Sequence, residues 1–197
     1  MEGLLFGYQE EGLRMLRAGE AYLSEKYPGY ELDAFLFEPA DKFSPNAVLH
    51  FRCEDYDACR VIVSKHDGEY TCSDTLYGFL LQPGYDQMVE QAFSAKGITL
   101  RSYTVFPAPI GKKIGPESDA SDLLALAPDL SRITHLYLFG DKNEELEKAI
   151  RQILLDVELF GIYTLFYVPF AELSDVKELE AARTGFSRYT FHCFDEN

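Results

Sequence analysis

Tryptophan is absent from the 197 residues, cysteine occurs only four times, and basic side chains are scarce: 18 Lys and Arg stand against 33 Asp and Glu. The resulting net charge of −15 is spread along the chain, about −9 over residues 1–97 and −6 over the remainder, so no acidic tail is set apart. Binding to a phosphate backbone needs a clustered basic face. None is present, and nucleic acid is therefore excluded as a partner; an anionic membrane surface is disfavoured on the same ground. No apolar run approaches the ~20 residues of a membrane-spanning helix. The opening Met1-Glu2-Gly3-Leu4-Leu5-Phe6 has neither a basic stretch nor the apolar core of a secretory signal. The expectation is a cytoplasmic protein.

Apolar residues make up 47% of the chain and aromatics 14%, with 13 Tyr and 15 Phe. That content supports a packed core with no need of metal or disulfide, and burial of roughly 70% of the unfolded surface is ordinary at this length. Leu5, Tyr8, Leu16, Leu23 and Tyr27 recur at helical spacing, which predicts a helix over residues 8–27 stopped by Pro28-Gly29. Gly12 and Gly19 fall on its apolar face, and close packing against a sheet is the reading for both.

A run of strands follows. Residues 30–37 read as extended, and residues 48–53, 59–64 and 70–73 as a meander, with Asp67-Gly68 a strong hairpin signal. A first loop over Glu54–Ala58 would set Cys53 opposite Cys59, Phe51 opposite Val61 and Leu49 opposite Val63; the Asp67-Gly68 turn sets Val63 opposite Cys72. By the two-residue period these side chains share one face, and His50, Arg52, Arg60, Ser64 and Thr71 occupy the other. One face is core, and the other is wet or thinly covered.

Gln82-Pro83-Gly84 reads as the start of a helix reaching Lys96, residues 100–106 as a strand, Pro107–Pro116 as a loop, and residues 119–127 as a short helix. The last third alternates. Residues 133–139 are a strand, and Asp141 with Glu144 resembles a capping box opening an amphipathic helix that Gly161 ends. Residues 162–168 are apolar on both faces, as a central strand should be. A polar helix over residues 174–183 and a closing strand over residues 187–194 complete the chain. The fold class expected is α+β: an N-terminal helix plus antiparallel β-meander (residues 1–106), followed by an alternating β/α C-terminal lobe with a mixed sheet (residues 117–197). The two are joined by the 107–116 loop, either as separate lobes or within one compact domain.

The order of these elements, with Glu25-Lys26-Tyr27 closing the first helix, then Leu76-Tyr77-Gly78-Phe79-Leu80-Leu81, His135-Leu136-Tyr137-Leu138-Phe139 and Gly161-Ile162-Tyr163-Thr164-Leu165-Phe166-Tyr167-Val168, resembles a group of uncharacterised, lipoprotein-like proteins of Gram-positive gut bacteria. The resemblance covers most of the chain at the level of pattern. It implies a fold and carries no activity. Members of that group commonly bear a lipid-anchoring segment, which this sequence does not show.

His50, Cys53, Cys59, His66 and Cys72 lie close in sequence, yet His50 and Cys53 are three apart on a strand and point to opposite faces. No zinc spacing such as C-x-x-C or H-x₃-H occurs, and buried free thiols are the reading preferred. A Cys53–Cys59 bridge across the hairpin would require an oxidising compartment. No G-x-S-x-G elbow is present. Adjacent strand residues His192 and Cys193 diverge, while His135 and His192 cannot be brought together from sequence. Gly111-Lys112-Lys113-Ile114-Gly115 lacks the Ser/Thr and the first glycine of a phosphate-binding P-loop. Lys112 and Lys113 nevertheless form a basic dyad among glycines on a long loop, and they are the candidate contacts for an anionic ligand. Asp55 and Asp57 flank Tyr56 at a hairpin tip and read as a solvated turn.

No cofactor is called for. The preferred expectation is a non-catalytic protein that binds another macromolecule through an exposed sheet face or groove, since Tyr is enriched at interfaces. A basic protein partner suits the overall charge. The alternative is a small-molecule binder or enzyme, its pocket between the two lobes and Lys112 and Lys113 on a lid above an anionic ligand.

Overall fold

The computed structural model describes residues 2–54, 56–111, 114, 118–126, 130–169 and 175–193. Its backbone divides into two compact units, one formed by Met1–Leu80 with Ala108–Ser118, the other by Leu81–Pro107 with Asp119–Asn197. The class is α+β, with the N-terminal helix and antiparallel meander expected, followed by a mixed sheet among alternating helices and strands.

In the first unit, α1 (Glu2–Lys26) precedes β1 (Leu32–Glu38), β2 (Ala47–Cys53), β3 (Tyr56–His66) and β4 (Glu69–Asp74). A two-residue β6 (Ile110–Gly111), within the segment read as pure loop, joins the far side of β4, so the sheet order is β1-β2-β3-β4-β6 and every pairing is antiparallel. Leu49, Phe51, Val61 and Val63 are buried on the face against which α1 packs, and Met15 and Leu23 of that helix are buried too. At Gly19 the helix lies close on the sheet: a Cβ there would sit 3.3 Å from Val63 Cγ2 and 3.6 Å from Leu49 Cδ2. The Asp67-Gly68 hairpin forms as expected, both residues at positive φ (50° and 88°), with Val63 opposite Cys72.

The first hairpin needs a correction. Phe51 faces Cys59, Leu49 faces Val61 and Ala47 faces Val63, a slip of two residues from the expected register. The strand β3 starts at Tyr56, and Glu54 adopts φ 43°, which lets the turn close without glycine. A slip of two preserves the faces, so Cys53 and Cys59 are still buried inward, although they are no longer partners.

The second unit holds β5 (Leu100–Val105), β7 (Ile133–Phe139), β8 (Gly161–Val168) and β9 (Ser187–Cys193) in the order β5-β7-β8-β9. Only β7 and β8 are parallel among these pairs; α4 (Glu144–Asp156) supplies the crossover that a parallel pair requires. α3 (Ala120–Leu126) and α5 (Val176–Ala182) complete the helices, and a 3-10 turn over Arg183–Gly185 follows the latter. The Ser102 hydroxyl donates to the Asp86 carbonyl of α2 (Leu76–Ser94) and the Tyr167 hydroxyl to Glu147 of α4, placing both helices on one sheet face. α5 lies on the other.

Three further expectations are corrected. α2 (Leu76–Ser94) begins two turns before Gln82 and carries Pro83 inside it. The Asp74 carboxylate accepts from the Tyr77 N–H at its start, a cap hidden from a periodicity reading by the uniformly apolar run that follows. Asn143, not Asp141, caps α4, accepting from the N–H groups of Glu145 and Leu146. Gly161 does not end that helix but opens β8, where a Cβ would come within 3.1 Å of the Arg132 carbonyl oxygen.

Candidate functional site

Among the described residues, each unit holds a cluster of polar side chains of the kind that perform chemistry. In the first unit Asp74, fully buried, meets Lys26, whose Nζ lies 2.7 Å from Oδ2. Tyr22 donates to the same oxygen from 2.6 Å, while Tyr27 (2.7 Å) and the Tyr77 N–H (3.0 Å) donate to Oδ1. The rings of Tyr22, Tyr27 and Tyr77 surround the ammonium with centroids at 5.3, 5.4 and 5.2 Å. Burial lowers the Lys26 pKa against the opposing pull of Asp74, and it raises the Tyr22 and Tyr27 phenols, with the Asp74 charge adding to the rise. This cluster ties α1 to β4 and, through the carbonyls of Ile110 and Gly111, to β6.

In the second unit Glu180 of α5 receives His135 Nδ1 at 2.5 Å, the Tyr137 hydroxyl and the Arg183 guanidinium. Burial works to raise the Glu180 carboxyl, but donation from His135 and Tyr137, aided by the charges of His135 and Arg183, outweighs it and holds the group below its ordinary 4.5. Tyr103 stacks near His135 and Phe166 meets the imidazole edge to face. A carboxylate with this many donors fastens a short helix to a sheet. His192, which sequence could not relate to His135, lies on the same sheet face two strands away, opposite Ile162, where His135 is opposite Thr164. A cavity of about 350 Å³ beside β5 is lined by Glu90, Arg101 and Phe139 among others, and the Glu90 carboxylate there is taken up by Arg101 and the Ser102 N–H.

Cys53, Cys59 and Cys72 lie on the inward face that the alternation gave them. Cys53, Cys59 and Cys193 are buried, Cys72 half-buried, and all four are unbridged. Burial raises every one, Cys59 to about 12 and Cys72 to about 11, so none is a ready nucleophile. Among the described residues no three His, Cys, Asp or Glu side chains are grouped to hold a metal ion. Lys112 and Lys113, the sequence candidates for an anion site, lie outside the described residues, as does Asp55; Asp57 is exposed on β3 and Tyr56 stacks on Phe79 at 5.1 Å.

The outer face of the first sheet is different in kind. Asp33, Leu36 and Glu38 of β1, Val48, His50 and Arg52 of β2, and Arg60 and Ile62 of β3 share it by register. None of these side chains is buried. A bulge between Ala34 and Leu36 turns Phe35 toward the same side, where Arg52 lies 4.6 Å above its ring and His50 6.1 Å away. Phe35 and Leu36 are each 47% exposed, in a strand that ends the sheet order and is buried at no position. Arg52 approaches Asp33 at 3.8 Å and His50 approaches Glu38 at 3.5 Å, leaving Arg60 exposed beside them. Sequence alternation found this face; what it missed was that the edge strand carries aromatic and aliphatic side chains out of the core, because Phe35 and Leu36 read equally well as core. Comparison with protein-family models, with curated proteins and with solved structures returns no match to this chain.

Proposed function

We propose that this is a non-catalytic binding protein that receives an extended, carboxylate-bearing segment of a protein partner on β1 and the adjoining outer face of the first sheet. One observation carries the reading: an edge strand with Phe35 and Leu36 half-exposed beside Arg52 and Arg60. Edge strands offer unpaired N–H and C=O groups to another chain, and strand addition takes its affinity from those groups and its specificity from neighbouring side chains. Phe35 and Leu36 provide the apolar contact, and the two guanidinium groups provide bidentate donors for carboxylates. Asp33 and Glu38 match Arg52 and Arg60 in number, so this face is balanced within a chain of net charge −15, and the exposed guanidinium groups are its donors to a partner. The partner segment we propose carries carboxylates where it meets Arg52 and Arg60, although the whole-chain charge alone pointed to a basic partner. The proposal takes the protein as cytoplasmic, in keeping with four unbridged thiols and with no described helix long and apolar enough to cross a membrane.

The test is selection from a random peptide display library against the full chain, with a Phe35→Asp/Leu36→Asp variant and an Arg52→Glu/Arg60→Glu variant run beside it. Enriched peptides should be acidic with an apolar residue and should bind each variant at least about tenfold more weakly, the loss of a single hot-spot contact. Peptides that bind both variants as well as the parent, or no enrichment at all, would overturn the assignment.

A further inference from the structure

We propose that Lys26 and Asp74 form an intramolecular amide cross-link, Nζ to Cγ, joining the end of α1 to the end of β4 with release of one water. The reacting groups are already in contact: Nζ stands 2.7 Å from Oδ2, with the two side chains 2% and 0% exposed. The two carboxyl oxygens are held for different tasks. Oδ1 accepts from the Tyr27 hydroxyl at 2.7 Å and the Tyr77 N–H at 3.0 Å, a pair of fixed donors where negative charge develops when an amine adds to Cγ. Oδ2, the oxygen that must leave, accepts from the Tyr22 hydroxyl at 2.6 Å, and that same hydroxyl accepts from Nζ at 2.9 Å. Tyr22 thus bridges the atom that loses protons and the atom that gains them.

The balance closes without a co-reactant. One proton passes from the ammonium to Oδ2, giving a neutral amine and a neutral acid. The amine lone pair adds to Cγ, forming the N–C bond and placing charge on Oδ1. A second proton moves from nitrogen to Oδ2 through Tyr22, the Cγ–Oδ2 bond breaks, and water departs. Both charges disappear from a site where isolated charge is costly, and burial already disfavours the ammonium form of Lys26. The product leaves no group stranded: the single remaining N–H faces the carbonyls of Ile110 and Gly111, each 3.3 Å from Nζ, and the amide oxygen keeps both donors of Oδ1.

Intact-mass spectrometry of the denatured full chain decides it. The parent should weigh one water less than its sequence, trypsin should spare the bond after Lys26, and digestion should yield one branched peptide containing both residues. Lys26→Met and Asp74→Ala should run at their full sequence masses. Tyr22→Phe, which keeps the ring and removes the relay, should give a mixture of condensed and open chains that shifts toward condensed with time. A parent at full sequence mass, or a water loss that persists in Lys26→Met, overturns the cross-link; Tyr22→Phe condensing as completely and as fast as the parent overturns the relay.

Discussion

The two units bury polar chemistry in opposite ways. In the first, one carboxyl group is matched to one lysine nitrogen inside a ring of tyrosines, and the partners are 48 residues apart in sequence. In the second, buried polarity is divided among smaller arrangements: Glu147 with Tyr167, Thr104 with Thr134, Glu180 with His135 and Tyr137, and Asp86 within reach of Gln82 at 3.3 Å. A concentrated pair makes one position indispensable, because removing either partner strands a charge. A distributed set fails piecemeal, and two of its carboxyl groups, Glu180 and Asp86, are shifted in opposite directions.

The sharpest way to break the contrast is Asp74→Ala. It leaves Lys26 among three tyrosines without a counter-charge and uncaps α2, and it should cost about 3–5 kcal/mol in denaturant unfolding; a loss below about 1 kcal/mol, the scale of one ordinary hydrogen bond, would mean the pair is not the anchor of the first unit. Next comes Glu180→Gln, expected to lose about 1–3 kcal/mol at neutral pH. Because the folded carboxyl titrates below its ordinary 4.5, its contribution is complete above that value and is lost as pH falls through the lower, folded one. The parent should lose that increment on acidification and the Gln variant should not. Equal acid sensitivity of the two proteins would remove Glu180 as the fastening of α5.

Asp86 should behave in the reverse sense. Burial, opposed by Thr104 and Gln82, raises it from 3.8 to about 6, so the folded state holds its proton where the unfolded state has released it. Its contribution is favourable below pH 3.8 and declines as pH rises to about 6. Asp86→Asn should then stabilise the protein at neutral pH by about 1–2 kcal/mol and flatten the stability profile between those values. A neutral or destabilising outcome would show that the carboxylate has partners that Asn cannot replace. The smallest effect is expected at the edge strand. Phe35→Asp and Leu36→Asp should alter stability by no more than about 0.5 kcal/mol while removing peptide binding; thermal and urea unfolding of each variant checks the first half of that statement.

Much of the local structure was readable in advance. The 3.6-residue and two-residue periods identified α1, α4 and the meander, and the Asp67-Gly68 turn set Val63 opposite Cys72 because a two-residue turn with both φ values positive leaves little freedom in register. Residues 133–139 and 162–168 were recognisable as strands, the second because it is apolar on both faces, as a central strand is. The first hairpin was misjudged by two residues because its loop contains no glycine, and only the left-handed Glu54 reveals how tightly it closes. The start of α2 was hidden because Leu76–Leu81 is too evenly apolar to display a period, and its cap comes from Asp74, at the end of the preceding strand.

Neither polar cluster was visible in the chain. Lys26 and Asp74 each look like ordinary surface residues, one in the last turn of a helix and the other before a turn, and the Glu180–His135 contact spans 45 residues. Composition and periodicity determined that this protein folds as a helix on a meander followed by a mixed α/β unit, since burial of apolar area depends on local pattern and is additive along the chain. Tertiary structure alone decided which charges are buried together and which sheet face stays open. Electrostatic pairing depends on distance and on exclusion of water, and neither exists until the elements have packed.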